Sequence, residues 1–537
     1  MKKPICLLMA LMCSLSFAAC GGNRGGGKID NTVEDTKTLK IVALERGYGI
    51  EFVYAWAERF EEIYDVTVDV EAVIDNNTIS TYQGLGAKYS DYDIFFDIQR
   101  NVAMYMSQFN NTEAYAGYEK ALMDYTDIYN SKVYGEDITL GEKINPSVKA
   151  EMQDVEQDGK YYAVPWASAL QAFVVNTKVV TEALGSDYKL PNTTDEFYAF
   201  CSAIRSAGYM PLAYPGQLNY WTSAFHTWWA QYEGLDEYYR FYDGKYYDEA
   251  SDNYIYGAQI YKQQGRLEAL KLMEKLLAYE SDTDGKSFHL GNVNDYNINN
   301  FTTLQKAFVN SNAASSNLKK YAMMPNGDWL AQEAGSANSD PVIMIATPVM
   351  SSVINQCATI DTDAELSALI DAIDAKSTAL SGEGYDVSQA DYDRIAEARN
   401  IIFSQASNHI AFSPVYANAK TLIKNFMLFI ASDEGIRIYQ ENTTPGILPF
   451  KYNYTSSNAF IQSAVKLYDM AYLPMHENTF LAVNGVKSTT VNNGYYEAVL
   501  GVPKSSKSYM SAQQIFESEF WTDNEFMSML KNIGLVK

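Results

Sequence analysis

Cysteine, histidine and positive charge are all scarce in this sequence of 537 residues, which has 5 cysteines, 4 histidines and 41 Lys+Arg against 66 Asp+Glu. Three of the cysteines fall within the first twenty residues, so only Cys201 and Cys357 remain, too few for a disulfide scaffold or a closely spaced zinc site. Cys201 shares an apolar helical face with Phe197, Phe200 and Ile204, the setting of a buried core thiol. His226, His289, His409 and His476 lie far apart in sequence, which marks none of them as metal ligand or general base; structural roles are expected. A net charge of −25 repels phosphate backbones and argues against nucleic acid as a partner. Catalytic signatures are missing too. There is no G-x-S-x-G elbow, H-E-x-x-H, P-loop or dinucleotide fingerprint, and no motif asks for a cofactor. Residues 280–291 begin like a calcium loop, with Asp282, Asp284 and Gly285 in place, but the twelfth position is Gly291 where a bidentate Glu is needed. A plain acidic turn is expected there.

What is present starts at the N-terminus. Lys2 and Lys3, an apolar run from Ile5 to Phe17, and Phe17-Ala18-Ala19-Cys20 followed by Gly21-Gly22 form a bacterial lipoprotein export signal. The run is shorter than the ~20 residues that span a bilayer. Processing removes residues 1–19 and leaves lipid on Cys20, so the mature chain is expected outside the cytoplasm, anchored to the membrane by that lipid. Its charge balance becomes 39 basic against 66 acidic residues, spread along the chain as a solvated surface. Residues 20–38 are glycine-rich, then polar, and read as a flexible tether.

Folded sequence starts at Leu39. Leu39–Leu44 reads as a buried strand, Phe52, Trp56, Phe60 and Ile63 recur at helical spacing, and Val66, Val68 and Val70 alternate like a second strand. Asp93–Asp97 supplies a third, so the opening is an α/β lobe with a mainly parallel sheet. Tyr161–Pro165 and Gln171–Asn176 are further extended runs. Thr193 and Glu196 can form a capping box for a helix ending near Gly208. Leu267–Tyr279 and Ala419–Ala431 are amphipathic helices, and Thr362 with Glu365 caps a helical hairpin over residues 361–402, read as surface decoration that buries one apolar face, with a partner-docking element as the alternative.

The distinctive polar signal is aromatic residues beside turn residues at strand ends. Trp166 follows Val164-Pro165, Tyr220 and Trp221 follow Gly216–Asn219, and Trp329 follows Asn326-Gly327-Asp328. An aromatic ring suits the C–H face of a pyranose, while neighbouring Asp, Asn and Gln pair with its hydroxyls. Trp56, Trp228 and Trp521, on amphipathic stretches, read instead as core. Sequence spacing does not reveal the ~5 to 9 Å carboxylate separation of a glycosidase, so a surface glycoside hydrolase and a glycan-binding adhesin stand as alternatives to a pure binding protein.

Asp158-Gly159-Lys160-Tyr161-Tyr162-Ala163-Val164-Pro165 with Val175-Asn176-Thr177-Lys178, then Ala322–Trp329, then Asn425–Asp433 with Thr444-Pro445-Gly446, resemble the signatures of family 1 extracellular solute-binding proteins of carbohydrate ABC importers. Val175 stands where that pattern has Tyr. The resemblance implies a type II periplasmic-binding-protein-like α/β fold: two discontinuous lobes joined by a hinge, one holding 39–160 and 301–412 with the hairpin insert, the other 161–300 and 413–537. It also implies a monomer without enzymatic activity that captures an oligosaccharide and hands it to a permease. Glu45, Arg46, Tyr48, Asp97, Gln99, Trp166, Asp328 and Trp329 would line the cleft by that resemblance; Tyr220 and Trp221 join them on chemistry alone.

Overall fold

The computed structural model describes residues 37–98, 100–153, 158–213, 220–280, 287–289, 301–335, 339–443, 446–474, 500, 502–518, 522–532 and 536. The expected export signal, Cys20 and most of the expected tether lie outside the described residues, as do Gln99, Gly216–Asn219, most of the 280–291 loop, Thr444-Pro445, His476 and Trp521.

Two sheets organise the chain. The first contains β1 (Thr38–Leu44), β2 (Thr67–Val73), β3 (Ile94–Asp97), β4 (Ala163–Pro165) and β14 (Ile410–Phe412) in the order β2-β1-β3-β14-β4. β1 is buried from Ile41 to Leu44 and lies inside the sheet, parallel to β2 and β3. The helix Glu51–Tyr64 between β1 and β2 buries Phe52, Val53, Trp56 and Phe60, as its spacing predicts. β14 runs antiparallel to β3 and β4, so the sheet is mixed rather than mainly parallel.

The second sheet contains β5 (Leu170–Asn176), β6 (Met210–Leu212), β9 (Tyr321–Gly327), β10 (Val342–Ile345), β13 (Ile401–Ser404) and β15 (Ala471–Pro474), in the order β15-β13-β5-β9-β6 with β10 also paired to β5. β5 and β9 are buried at every position, which accounts for the apolar stretches Ala172–Val175 and Ala322–Pro325 within them. Two short hairpins complete the strands: β7 (Lys245–Asp248) with β8 (Asn253–Tyr256), and β11 (Ser381–Gly382) with β12 (Tyr385–Asp386).

This pairing corrects the expected grouping of 301–412 with the first lobe for the strands between Tyr321 and Ser404, while Ile410–Phe412 does lie in the first sheet. β9, β10 and β13 all hydrogen-bond within the second sheet, while the helices Lys420–Ile430 and Asp433–Asn442 pack on Glu51–Tyr64 in the first lobe. A strand buried along its whole length needs neighbours on both sides, and β5 and β6 provide them for β9. Segment order alone carries no sign of that choice. The chain passes between the lobes at 166–169, again at 405–409, and a third time between the helix Asp433–Asn442 and β15; the first two crossings lie side by side and form the hinge.

The hairpin insert consists of the helices Asp363–Asp374 and Gln389–Arg399 and has its own core around Leu366, Leu369, Ile370, Ile395 and Val353. It sits on the second lobe: Thr193 donates to Asp363 (2.7 Å), Asn192 to Asp371 (2.6 Å) and Ser367 to Glu196 (2.6 Å). The Thr362–Glu365 capping box is complete. At Thr193 only half of the expected box forms, because the Glu196 carboxylate accepts from the Asn192 amide and Ser367 instead.

Candidate interlobe binding site

β1 and β9 come from different lobes, and the loops that follow them meet. β1 runs into Glu45–Gly49, where Tyr48 turns inward, and β9 runs into Asp328-Trp329. The Tyr48 hydroxyl donates to the Asp328 carboxylate, a buried hydrogen bond from one lobe to the other. Burial pushes the Asp328 carboxyl up to about 7, with the Tyr48 hydroxyl and backbone N–H groups pulling it back; the same burial, with the Asp328 charge, raises the Tyr48 phenol well above its usual range.

Around Tyr48 stand three rings, edge-on to it: Trp166 at 5.7 Å between centroids, Trp329 at 6.0 Å and His409 at 5.6 Å. Trp166 and His409 come from the two adjacent crossings, so the cluster sits at the boundary between the lobes. His409 pairs through Nδ1 with the Gln405 carbonyl at 2.9 Å, and burial pushes its imidazole down to about 4, so it is neutral near pH 7. Trp166 is only 2% exposed; it stacks on Phe52 at 5.3 Å and donates Nε1–H to the Asp97 carbonyl at 3.2 Å. Trp329 is held between two glycines. A Cβ on Gly327 would stand 2.2 Å from its ring, and one on Gly47, across the lobe boundary, 3.3 Å. Position 327 needs glycine to let the backbone approach the indole, and at Gly47 a Cβ would fit tightly, with the ring giving way by a few tenths of an ångström.

A polar patch adjoins Trp329. The Gln305 side chain donates to Glu333 at 2.7 Å and to the Tyr220 hydroxyl at 3.2 Å, and burial raises the Glu333 carboxyl above its ordinary value. Tyr220, expected at the cleft, thus lies in the patch beside Trp329. Glu45 and Arg46 are exposed at its rim, where the Arg46 guanidinium donates to the Glu45 and Ile74 carbonyls.

Two expected cleft residues belong elsewhere. Trp221 is fully buried in the second-lobe core, edge-on to Phe173, because it lies on the inward face of the wholly buried helix Tyr220–Glu233. Asp97 is 1% exposed, and its carboxylate accepts from Tyr105 at 2.6 Å and from the Ile98 amide at 2.8 Å, so it ties down the end of β3. His409, Gln305 and Glu333 were not visible as site residues in the sequence; Glu333, one helical turn beyond Trp329, carried the nearest thing to a signal. Among the described residues no three His, Cys, Asp or Glu side chains converge on a metal position.

Two α/β lobes built on two mixed sheets are the fold of the bilobal solute-binding proteins. Solved structures share it. The bacterial solute receptor AcbH, whose described preference is for β-D-galactopyranose, matches with a TM-score of 0.55 at 13% identity over 92% of this chain and 99% of its own. A family 1 extracellular solute-binding protein from Bifidobacterium longum subsp. infantis matches with 0.51 at 16% identity over 92% and 100%. The apo form of RafE from Streptococcus pneumoniae matches with 0.53 at 13% over 92% and 98%. No protein-family model and no curated protein sequence matches the chain.

Proposed function

We propose that this chain is a lipid-anchored, non-catalytic binding protein that captures an oligosaccharide between its lobes and delivers it to the permease of an ABC importer. One observation carries the reading: the groups suited to a sugar come from both lobes, Tyr48 and Gly47 from one, Asp328 and Trp329 from the other, and they meet at the hinge. A ligand that touches both lobes binds the closed arrangement better than the open one and shifts the population toward closure. The closed form then presents one shape to a permease, with the energy for import coming from a separate ATPase. In this account Tyr48, Trp329, Tyr220 and the rim residues Glu45 and Arg46 meet the ligand, Asp328 orients Tyr48, and Trp166 supports the cluster from behind. The protein works as a monomer outside the cytoplasm, held by lipid on Cys20.

Small-angle scattering of the purified mature chain tests the reading. A binding oligosaccharide should make the protein more compact while the reducing-end content of the mixture stays constant. Rising reducing ends would favour a hydrolase, and binding without compaction a rigid adhesin.

A further inference from the structure

The first lobe brings to the lobe boundary a carboxylate that the aromatic cluster does not use. The helix Pro146–Met152 starts where the Asn145 side chain accepts from the Ser147 and Val148 amides, and it packs on β4, β15 and the hinge residues Ala406–Asn408. Glu151, in its last turn, stands beside Ser407 of the hinge. It is also close enough to Tyr239, on the second-lobe helix Leu235–Asp243, for its charge to disfavour the phenolate. First lobe, second lobe and hinge thus meet at this side chain.

The Glu151 stem is partly exposed, yet both carboxylate oxygens are buried, and the Ser407 hydroxyl beside them stands outside good hydrogen-bonding geometry. Burial pushes the carboxyl up to about 8, and the Ser407 hydroxyl offsets only part of that. No ion pair among the described residues holds it. The titratable group around it is Tyr239, with Asp236 acting on that phenol; Tyr472 on β15 is set among Ser168, Tyr468 and Asp328 instead, and β4 and Ala406–Asn408 supply none. An acid left unsatisfied at a lobe boundary is costly unless something completes it.

We propose that Glu151 is a ligand-recognition residue of the interlobe cleft, its two oxygens accepting a pair of donors from one sugar residue, either vicinal hydroxyls or an ammonium with its neighbouring hydroxyl. The proposal rests on the sugar-binding reading above and extends it to a substrate class: sugars rich in donors, with carboxylated sugars excluded. Ligand donors favour the ionised carboxylate, so binding near neutral pH expels a proton.

Calorimetry at about pH 7 tests this with maltotriose, N-acetylated chitotriose, the glucosamine trisaccharide and trigalacturonate, each in two buffers of different ionisation enthalpy. The expected result is that at least one of the first three binds with release approaching one proton, and that trigalacturonate is weaker by about tenfold or more. Glu151→Gln should weaken the best binder by about tenfold and abolish the proton release, while melting no lower than the wild type. Tighter binding of the glucosamine trisaccharide than of its acetylated counterpart assigns the donor pair to an ammonium; the reverse order assigns it to hydroxyls. Binding by Glu151→Gln within about threefold of wild type with the same proton count would overturn the proposal. So would trigalacturonate binding best. Should the variant not fold, a wild-type proton count of zero overturns it alone. Binding by none of the four trisaccharides removes the sugar-binding reading itself, a result distinct from sugar binding that ignores Glu151.

Discussion

Tyr48→Phe removes one oxygen atom and with it the hydrogen bond that joins the lobes. The bond is buried and ends on a carboxyl that titrates near 7, so at neutral pH its partner is partly ionised. A hydrogen bond to a charged group is worth roughly 1.5–3 kcal/mol and a neutral one about 1, which brackets the loss at about 1–3 kcal/mol. The pair exists only when the lobes meet, so the loss falls on the closed state. At about 2 kcal/mol the closed population relative to open drops by about 30-fold, and sugar affinity falls by a similar factor. A fluorophore pair at Tyr89→Cys in the first lobe and Tyr247→Cys in the second reports the change, since both side chains are exposed (65% and 45%). Tyr105→Phe is the control, because its hydroxyl bonds Asp97 within the first lobe; it should lower the melting temperature without changing the lobe distance. An unchanged distance distribution and affinity in Tyr48→Phe would refute the reasoning.

Four further outcomes are expected. Gly327→Ala places a Cβ against the Trp329 ring and should displace it, shifting tryptophan fluorescence and weakening sugar binding by about tenfold, while the fold measured by circular dichroism is retained. Trp166→Ala should cost roughly 3–5 kcal/mol in urea unfolding, because the side chain is packed on Phe52, Tyr48 and His409; near-wild-type stability would make it a surface platform instead. Glu151 and Asp328 both titrate higher folded than unfolded, so the native state holds their protons between about pH 4 and 8 while the unfolded chain releases them, and stability should fall as pH rises through that window, by up to about 1.4 kcal/mol per pH unit for each group. Glu151→Gln should flatten that slope, and a slope left intact would count against the burial of this carboxyl. Thr362→Ala breaks a complete capping box and should cost about 1 kcal/mol, seen as faster amide exchange confined to the hairpin insert.

Local elements were legible because single faces decide them. The period of Phe52, Trp56 and Phe60 gives the first helix, Thr362 with Glu365 marks where the insert begins, and Leu422, Ile423, Phe426 and Ile430 form the inward face of the helix Lys420–Ile430. Lobe membership was not legible. β9 is buried throughout, so nothing along Tyr321–Gly327 says which sheet it joins, and only its pairing with β5 and β6 settles that. The site divided in the same way. Tyr48, Asp328, Trp329 and Tyr220 carried turn and aromatic signals and meet at the lobe boundary, whereas Trp221, with the same local signal, faces a core because its helix is buried on all sides. His409 and Glu151 gain their positions from the hinge and a distant helix, relations between segments hundreds of residues apart that leave no local trace.

The most direct test is a crystal structure of the mature chain grown with the tightest-binding neutral trisaccharide. An intact saccharide touching Tyr48 from one side and Trp329 from the other, with the lobes closed over it, is the predicted result. An empty boundary between the lobes, or cleaved sugar lying there, would contradict it.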